Sequence, residues 1–198
     1  MNTNVKEILV IGLGLIGSSI AKVSKEKGIK VHGFDIDEAS IKHALENNII
    51  DESFVSIEEI NNKNLTSYID LIVIAVSPEA TKHIINGVER LWNSDITITD
   101  TTSVKAHLLF KDISNLVLSH PIAGSDKSGV LGVDENLFTG KKTVICNPFN
   151  AEKLFIDLMK EGVIVRPIAL YDMPEFIRVT VGTKEENDYF LLKLGQVL

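Results

Sequence analysis

Continuous apolar runs alternate along the chain with stretches in which apolar residues recur every three or four positions. Ile8-Leu9-Val10-Ile11 is such a run, the pattern of a strand buried on both faces. After the turn Gly12–Gly17, residues Ile16, Ile20 and Val23 follow helical spacing up to Gly28, which suits a helix C-terminus. Lys30 to Phe34 predicts a second strand ending at Asp35, and Asp37 can cap a helix containing Ile41, Ala44 and Leu45. Asn61-Asn62-Lys63-Asn64 reads as a surface turn. Ile69 to Val76 predicts another buried strand, after which Ser77-Pro78 supplies the N-cap and first residue of a helix reaching about Trp92. Ile96–Thr99 and Leu116–Leu118 predict two more strands around a short helix near Val104–Phe110. Val144-Ile145-Cys146 predicts a further strand, closed by Asn147-Pro148.

Strands alternating with helices build an α/β fold: a doubly wound, mostly parallel sheet joined by right-handed crossovers. The pattern changes from Ala151. Leu154, Ile156, Leu158 and Met159 suit a helix ended by Gly162, and Val163-Ile164-Val165 a strand ended by Pro167. Phe176 to Val181 alternates as a strand. Thr183-Lys184-Glu185-Glu186 then reads as a capping box for a last helix through Leu191, Leu194 and Val197. Residues 1–150 therefore form one domain, and 151–198 a helix–strand–strand–helix segment that completes or extends it by packing on the sheet.

The 198 residues are 44% apolar and 24% charged, ordinary for a globular chain, with a formal net charge of −7. That charge offers no basic face to nucleic acid. No apolar run approaches the roughly 20 residues that span a bilayer, and the polar start leaves no room for a signal peptide. Cys146 is the only cysteine. It allows neither a disulfide framework nor a cysteine zinc site, and reads as a small buried apolar residue. A cytoplasmic protein without a metal is expected.

Gly12-Leu13-Gly14-Leu15-Ile16-Gly17 sits between a strand and a helix, and Asp35 stands at the end of the next strand. A dinucleotide pyrophosphate needs that context, and it makes the expected sheet one of the Rossmann type. Gly12 allows the tight turn, Gly14 lets the backbone approach the pyrophosphate, and Gly17 lets helix and strand pack closely. The helix N-terminus then faces the phosphates. The Asp35 carboxylate can accept hydrogen bonds from the adenosine ribose hydroxyls and repels a 2′-phosphate, so the expected cofactor is NAD rather than NADP. A glycine turn that serves only packing is the bland alternative, and flavin and other nucleotides share the fingerprint.

In open α/β sheets ligands sit outside the carboxyl ends of the strands. Asp100-Thr101-Thr102-Ser103-Val104-Lys105 follows one predicted strand, and Ser119-His120-Pro121-Ile122-Ala123-Gly124-Ser125 follows the next. If these strands are neighbours, Ser103 and His120 emerge on the edge that carries the glycine loop. A histidine can act there as base or acceptor for a substrate hydroxyl, and a serine can fix its tautomer. A histidine before proline is also commonly a satisfied loop residue. His32 lies in a strand, and His43, His83 and His107 fall on predicted helices, so these four read as structural or solvated. The backbone donors of Gly124–Gly129 suit an anionic substrate.

Together these segments resemble the prephenate dehydrogenase family, which includes arogenate dehydrogenases. The resemblance rests on the glycine loop, Asp35, Ala75-Val76-Ser77-Pro78, the segments 100–105 and 119–125, Ser128-Gly129 and Leu137-Phe138-Thr139-Gly140, and covers about residues 5–150. It implies NAD-dependent oxidative decarboxylation of prephenate to 4-hydroxyphenylpyruvate, on the route to tyrosine. His120 would hold the ring hydroxyl and take its proton, Ser103 would position His120, and Ser125 and Ser128 would meet the substrate. Cofactor contacts would come from Gly12, Leu13, Gly14, Leu15, Ile16, Gly17, Asp35, Val76, Ser77, Pro78, Thr101 and Thr102.

The family continues into an all-helical domain that mediates dimerisation and supplies an arginine for the substrate carboxylate, and the tail departs from it. From about Phe155, Glu161–Pro167 and Phe176–Asn187 resemble the C-terminal end of histidinol-phosphate aminotransferases, as in a fusion of two genes. In those enzymes the arginine matching Arg178 binds a substrate carboxylate. Their pyridoxal site lies upstream and has no counterpart here, so Arg178 reads as a solvated strand residue. Three readings stay open at this point: a prephenate dehydrogenase, an arogenate dehydrogenase, or an NAD-binding module with little turnover. An exposed sheet edge or the apolar tail could pair two chains as a homodimer.

Overall fold

The computed structural model describes residues 5–105, 108, 113–146, 151–168, 170 and 176–197. Two compact units emerge, one of Asn2–Val117 with Gly124–Leu137 and one of Leu118–Ala123 with Phe138–Leu198.

The first unit runs β1 (Glu7–Ile11), α1 (Leu15–Glu26), β2 (Lys30–Phe34), α2 (Glu38–Glu46), β3 (Glu52–Ser53), α3 (Ile57–Asn62), β4 (Leu71–Ile74), α4 (Pro78–Gly87) and β5 (Thr97–Asp100). The strands lie in the order β3-β2-β1-β4-β5 and every pair is parallel, the Rossmann-type arrangement that the alternation implied. The chain entering β6 (Leu116–Ile122) lies beside β5. Ile98 N–H donates to Asn115 O at 2.8 Å, and the Thr99 hydroxyl to Val117 O at 2.8 Å.

Side chains alternate across a strand, so Ile8 and Val10 share one face of β1 and Leu9 and Ile11 the other. Ile8, Val10, Val31 and Val73 pack with Ala21 of α1, Ala44 of α2 and Val130 in a single buried cluster. Leu9, Ile11, Ile72 and Ile74 are buried on the opposite face. Cover on both faces is why these strands read as unbroken apolar runs.

Asp37 caps α2 by accepting from the amides of Ala39 and Ser40, and Ser77 caps α4 with Pro78 at its first position. Helix α4 ends earlier than its pattern suggests, at Gly87, and a short 3-10 turn Glu89–Leu91 follows. The surface turn expected at Asn61–Asn64 instead starts inside α3. Ser56 and Glu59 carried the signal for that helix. Glu59 N–H donates to Ser56 Oγ at 3.1 Å, and the Glu59 carboxylate accepts from Val55 N–H at 2.8 Å.

His32 is buried on β2. Its Nε2 lies 2.9 Å from Glu7 Oε2 and its Nδ1 3.4 Å from Glu52 Oε2, between the rings of Phe54 and Tyr68. It is a core histidine with partners on both nitrogens.

The second unit takes β6 from Leu118 onward and adds β7 (Lys142–Cys146), α5 (Ala151–Lys160), β8 (Arg166–Pro167), β9 (Phe176–Thr180) and α6 (Lys184–Val197). Its order is β6-β7-β9-β8, all antiparallel. Strand β6 runs to Ile122, so His120 and Pro121 lie inside the strand rather than after it. His120 stands opposite Val144, and Pro121, without an N–H, opposite Thr143.

Residues 163–165 form no strand. Val163 and Val165 instead turn into a core with Leu154, Leu158 and Ile177, and Phe190, Leu194 and Val197 of α6 pack against it. The capping box of α6 forms as predicted, with Thr183 N–H donating to Glu186 Oε2 at 2.8 Å and Glu186 N–H to Thr183 Oγ1 at 3.3 Å. Most of the helix expected near 104–110 lies outside the described residues. So do His107, Asn147-Pro148 and the Cys146 side chain. Among the described residues no helix is long and apolar enough to cross a membrane, and no group of three or more His, Cys, Asp or Glu side chains is placed to hold a metal.

Asp51 joins α1 to β2, accepting from Lys25 Nζ at 2.8 Å and from Val31 N–H at 2.8 Å. Burial pushes its carboxyl up, but those two hydrogen bonds and the nearby charges of Lys25 and His32 together hold it below its ordinary value of 3.8. A carboxyl lowered by folding stabilises the protein above its unfolded value, and that contribution fades as pH falls through the folded value. Asp51→Asn should therefore cost on the order of 1 kcal/mol at pH 7, with the gap to wild type closing below about pH 4. Thermal unfolding at several pH values reads this directly.

Candidate functional site

The turn from β1 into α1 is held by contacts that leave no room for side chains. Gly12 has φ +96° and a Cβ there would lie 2.5 Å from Ala75 O, while a Cβ on Gly17 would lie 1.9 Å from Gly12 O. Gly14 differs, because a Cβ there would enter open space. Gly14 is the N-cap of α1 and offers no side chain to cap it. Among the described residues, the amides of Leu15 and Ile16 have no acceptor.

These uncapped donors form the positive end of the helix dipole, an arrangement that suits a phosphate. The side chain of Leu13 is buried in the core, and its amide donates to Asp35 Oδ2 at 2.6 Å. Asp35 Oδ1 accepts from Asp37 N–H at 2.9 Å.

Gly12, Gly14, Phe34, Asp35, Val76 and Ser77 line one cleft of about 290 Å³ at the carboxyl ends of β1, β2 and β4. Glycine loop, acidic residue and the turn after β4 are thereby brought together. The cleft fits a dinucleotide: backbone donors for phosphate, a carboxylate for a ribose diol, and an apolar wall. Ala80 and Ile84, four residues apart on α4, complete that wall and were not singled out in the sequence. A larger cleft of about 870 Å³ shares Phe34, Asp35 and Ile36 and extends along α2 and α3, where Ile36 and Val55 are exposed.

The segment after β5 is built around a buried charge. Asp100 and Thr102 are buried, and Asp100 Oδ2 accepts from Thr102 N–H at 3.2 Å, from Thr102 Oγ1 at 2.6 Å and from the buried ammonium of Lys105. Thr101 N–H donates to Ile74 O at 3.0 Å. This folds residues 100–105 into a closed turn with Ser103 exposed upon it. Thr102 is thus taken up by the turn itself. Lys105 was legible only as a residue of the motif, because sequence does not show that its amine folds back on Asp100.

Ser125 caps a turn by accepting from Lys127 N–H at 2.9 Å, and Ser128 is exposed beside it. His120 is half-buried on β6 in the second unit. In that same unit Arg166 and Arg178 stand opposite each other across β8 and β9 and line a cavity of about 640 Å³. Arg178 is half-buried there, less solvated than its strand position suggested.

A family model described as "Prephenate dehydrogenase, nucleotide-binding domain" matches residues 20–164. A prephenate dehydrogenase of Lactococcus lactis is 32% identical over 144 residues, which cover 67% of this chain and 38% of that protein. The crystal structure of prephenate dehydrogenase from Aquifex aeolicus, in complex with hydroxyphenyl propionate and NAD+, superposes with a TM-score of 0.65 at 28% identity. It covers 81% of this chain and 57% of that one. The C-terminal segment matches another family: histidinol-phosphate aminotransferase 2 of Pseudomonas aeruginosa is 55% identical over 49 residues, 25% of this chain and 13% of that protein. The chain thus spans less than two thirds of the length of each of these relatives.

Two substitutions test the geometry. Gly17→Ala drives a methyl group into Gly12 O and should destabilise the first unit by about 3 kcal/mol, read as an earlier thermal transition. Lys105→Met leaves the Asp100 carboxylate buried without its ammonium and should lower the melting temperature by on the order of 10 °C. Adding Asp100→Asn should recover part of that loss.

Proposed function

Because the chain belongs to the prephenate dehydrogenase family through its nucleotide-binding domain, we propose that it is an NAD-dependent oxidoreductase acting on prephenate. The reaction is an oxidative decarboxylation to 4-hydroxyphenylpyruvate, in the synthesis of tyrosine in the cytoplasm. The observation that carries this reading is the cleft in which the uncapped N-terminus of α1, the glycine loop and Asp35 meet.

Gly12, Gly14 and the amides of Leu15 and Ile16 hold the pyrophosphate, Asp35 the adenosine ribose, and Val76, Ser77, Pro78 and Thr101 the remaining wall. When bound, the nicotinamide supplies the hydride acceptor. The chain's own part is orientation and proton transfer. His120 takes the proton of the ring hydroxyl as the carbon bearing it is oxidised, and Ser103 has the positioning role that the family resemblance implies. Ser125 and Ser128 contact the substrate through an exposed, donor-rich turn. Loss of the ring carboxylate as carbon dioxide makes the ring aromatic and draws the reaction forward.

Arogenate is the second candidate substrate, favoured by the likeness to Synechocystis arogenate dehydrogenase at a TM-score of 0.57 and 25% identity, over 71% of this chain and 49% of that one. The test is absorbance of reduced cofactor after mixing the protein with NAD and either substrate. Turnover with prephenate above arogenate is expected, and His120→Asn should lower it by about 10²–10⁴-fold. NADP should bind more weakly than NAD because Asp35 repels its 2′-phosphate. NAD binding without turnover would leave a dinucleotide-binding module. Equal turnover in His120→Asn would remove the role given to that residue.

A further inference from the structure

We propose that Asp35 is a positioning residue for the glycine loop as well as the reader of the ribose. The inference rests on the dinucleotide reading of the cleft and adds a second task to one of its residues. The two carboxylate oxygens of Asp35 are engaged separately. Oδ2 accepts from the amide of Leu13 at 2.6 Å, and Oδ1 accepts from the amide of Asp37 at 2.9 Å. Asp37 in turn receives the first amides of α2, Ala39 at 3.2 Å and Ser40 at 3.1 Å. A continuous line of hydrogen bonds therefore runs from the glycine loop through the end of β2 into the start of α2.

Leu13 has its side chain buried in the core and its neighbour Gly12 bound to Phe34 O at 2.8 Å. Its amide is satisfied by Asp35, and a half-buried amide left without an acceptor disfavours the conformation that leaves it so. The carboxylate thus holds the loop in the shape that presents Gly14 and the first turn of α1 to a pyrophosphate. Each oxygen keeps a second lone pair, so a ribose diol can bind without displacing either backbone donor. An amide side chain cannot do both tasks. Asparagine has one oxygen, and its NH₂ group would face the other N–H donor.

The experiment separates positioning from ribose contact. Binding is measured by calorimetry for NAD and for an NAD analogue whose adenosine ribose lacks both hydroxyls, with wild type, Asp35→Asn and Asp35→Glu. Exchange of the Leu13 amide is followed by NMR without ligand. Asp35→Asn is expected to weaken the analogue about tenfold, although the analogue offers no diol, and to speed exchange at Leu13 about tenfold while amides in β4 keep their rates. Asp35→Glu, which retains two acceptors, should recover part of both.

An unchanged affinity of Asp35→Asn for the analogue would overturn the proposal, as would an unchanged Leu13 exchange rate. Failure of the wild type to bind NAD would sink the cofactor reading alone, because the Leu13 exchange rate still decides whether Asp35 holds the loop. Should Asp35→Asn not fold, Asp35→Ser is read by the same two measurements.

Discussion

Helix α1 can start where it does only because Gly17 carries no side chain. The helix backbone lies directly against Gly12 O, and Gly12 itself lies against Ala75 at the end of β4. Everything at the carboxyl edge of the parallel sheet follows from that double approach. It places an uncapped helix N-terminus at the ends of β1 and β4, brings the Leu13 amide within reach of Asp35, and closes one cleft from three separate turns. Interiors pack too densely for such contacts to open by even a methyl group without moving the elements themselves.

The same edge shows how a buried charge shapes a loop. One oxygen of Asp100 collects a backbone amide, a hydroxyl and an ammonium, all from residues within five positions of it. Local donors satisfy the carboxylate, so the turn after β5 has a defined shape and presents Ser103 outward. The second unit solves a different problem. Its strands are antiparallel, its helices α5 and α6 share one small core, and its sequence likeness changes from one enzyme family to another within it. The core residues come from three elements: Leu154 and Leu158 from α5, Ile177 from β9, and Phe190 and Leu194 from α6.

Much of the first unit was legible because its elements are long, apolar and marked at their ends. The runs at Ile8–Ile11 and Leu71–Ile74 and the caps Asp37 and Ser77 behave as local chemistry dictates, as does the capping box at Thr183 in the second unit. Short elements escaped. Strand β3 has two residues and no pattern to recognise, and α3 was masked by its run of asparagines although Ser56 and Glu59 announce it. Strand β6 was read as ending at Leu118, where its apolar run stops at Ser119 and His120, and it continues to Ile122. Pro121 is tolerated there without an N–H to donate.

The sequence by itself determined the βαβ turn, its glycines and the acidic residue after β2, because each depends on residue type at short range. Only the tertiary structure decided which of them share a cleft, that both oxygens of Asp35 are already engaged, that Lys105 closes onto Asp100, and that Arg166 faces Arg178. The shared cleft, the Leu13–Asp35 contact and the arginine pair depend on strand order and register, while the Lys105 contact depends on the path of the 100–105 turn, and a local apolar pattern records neither.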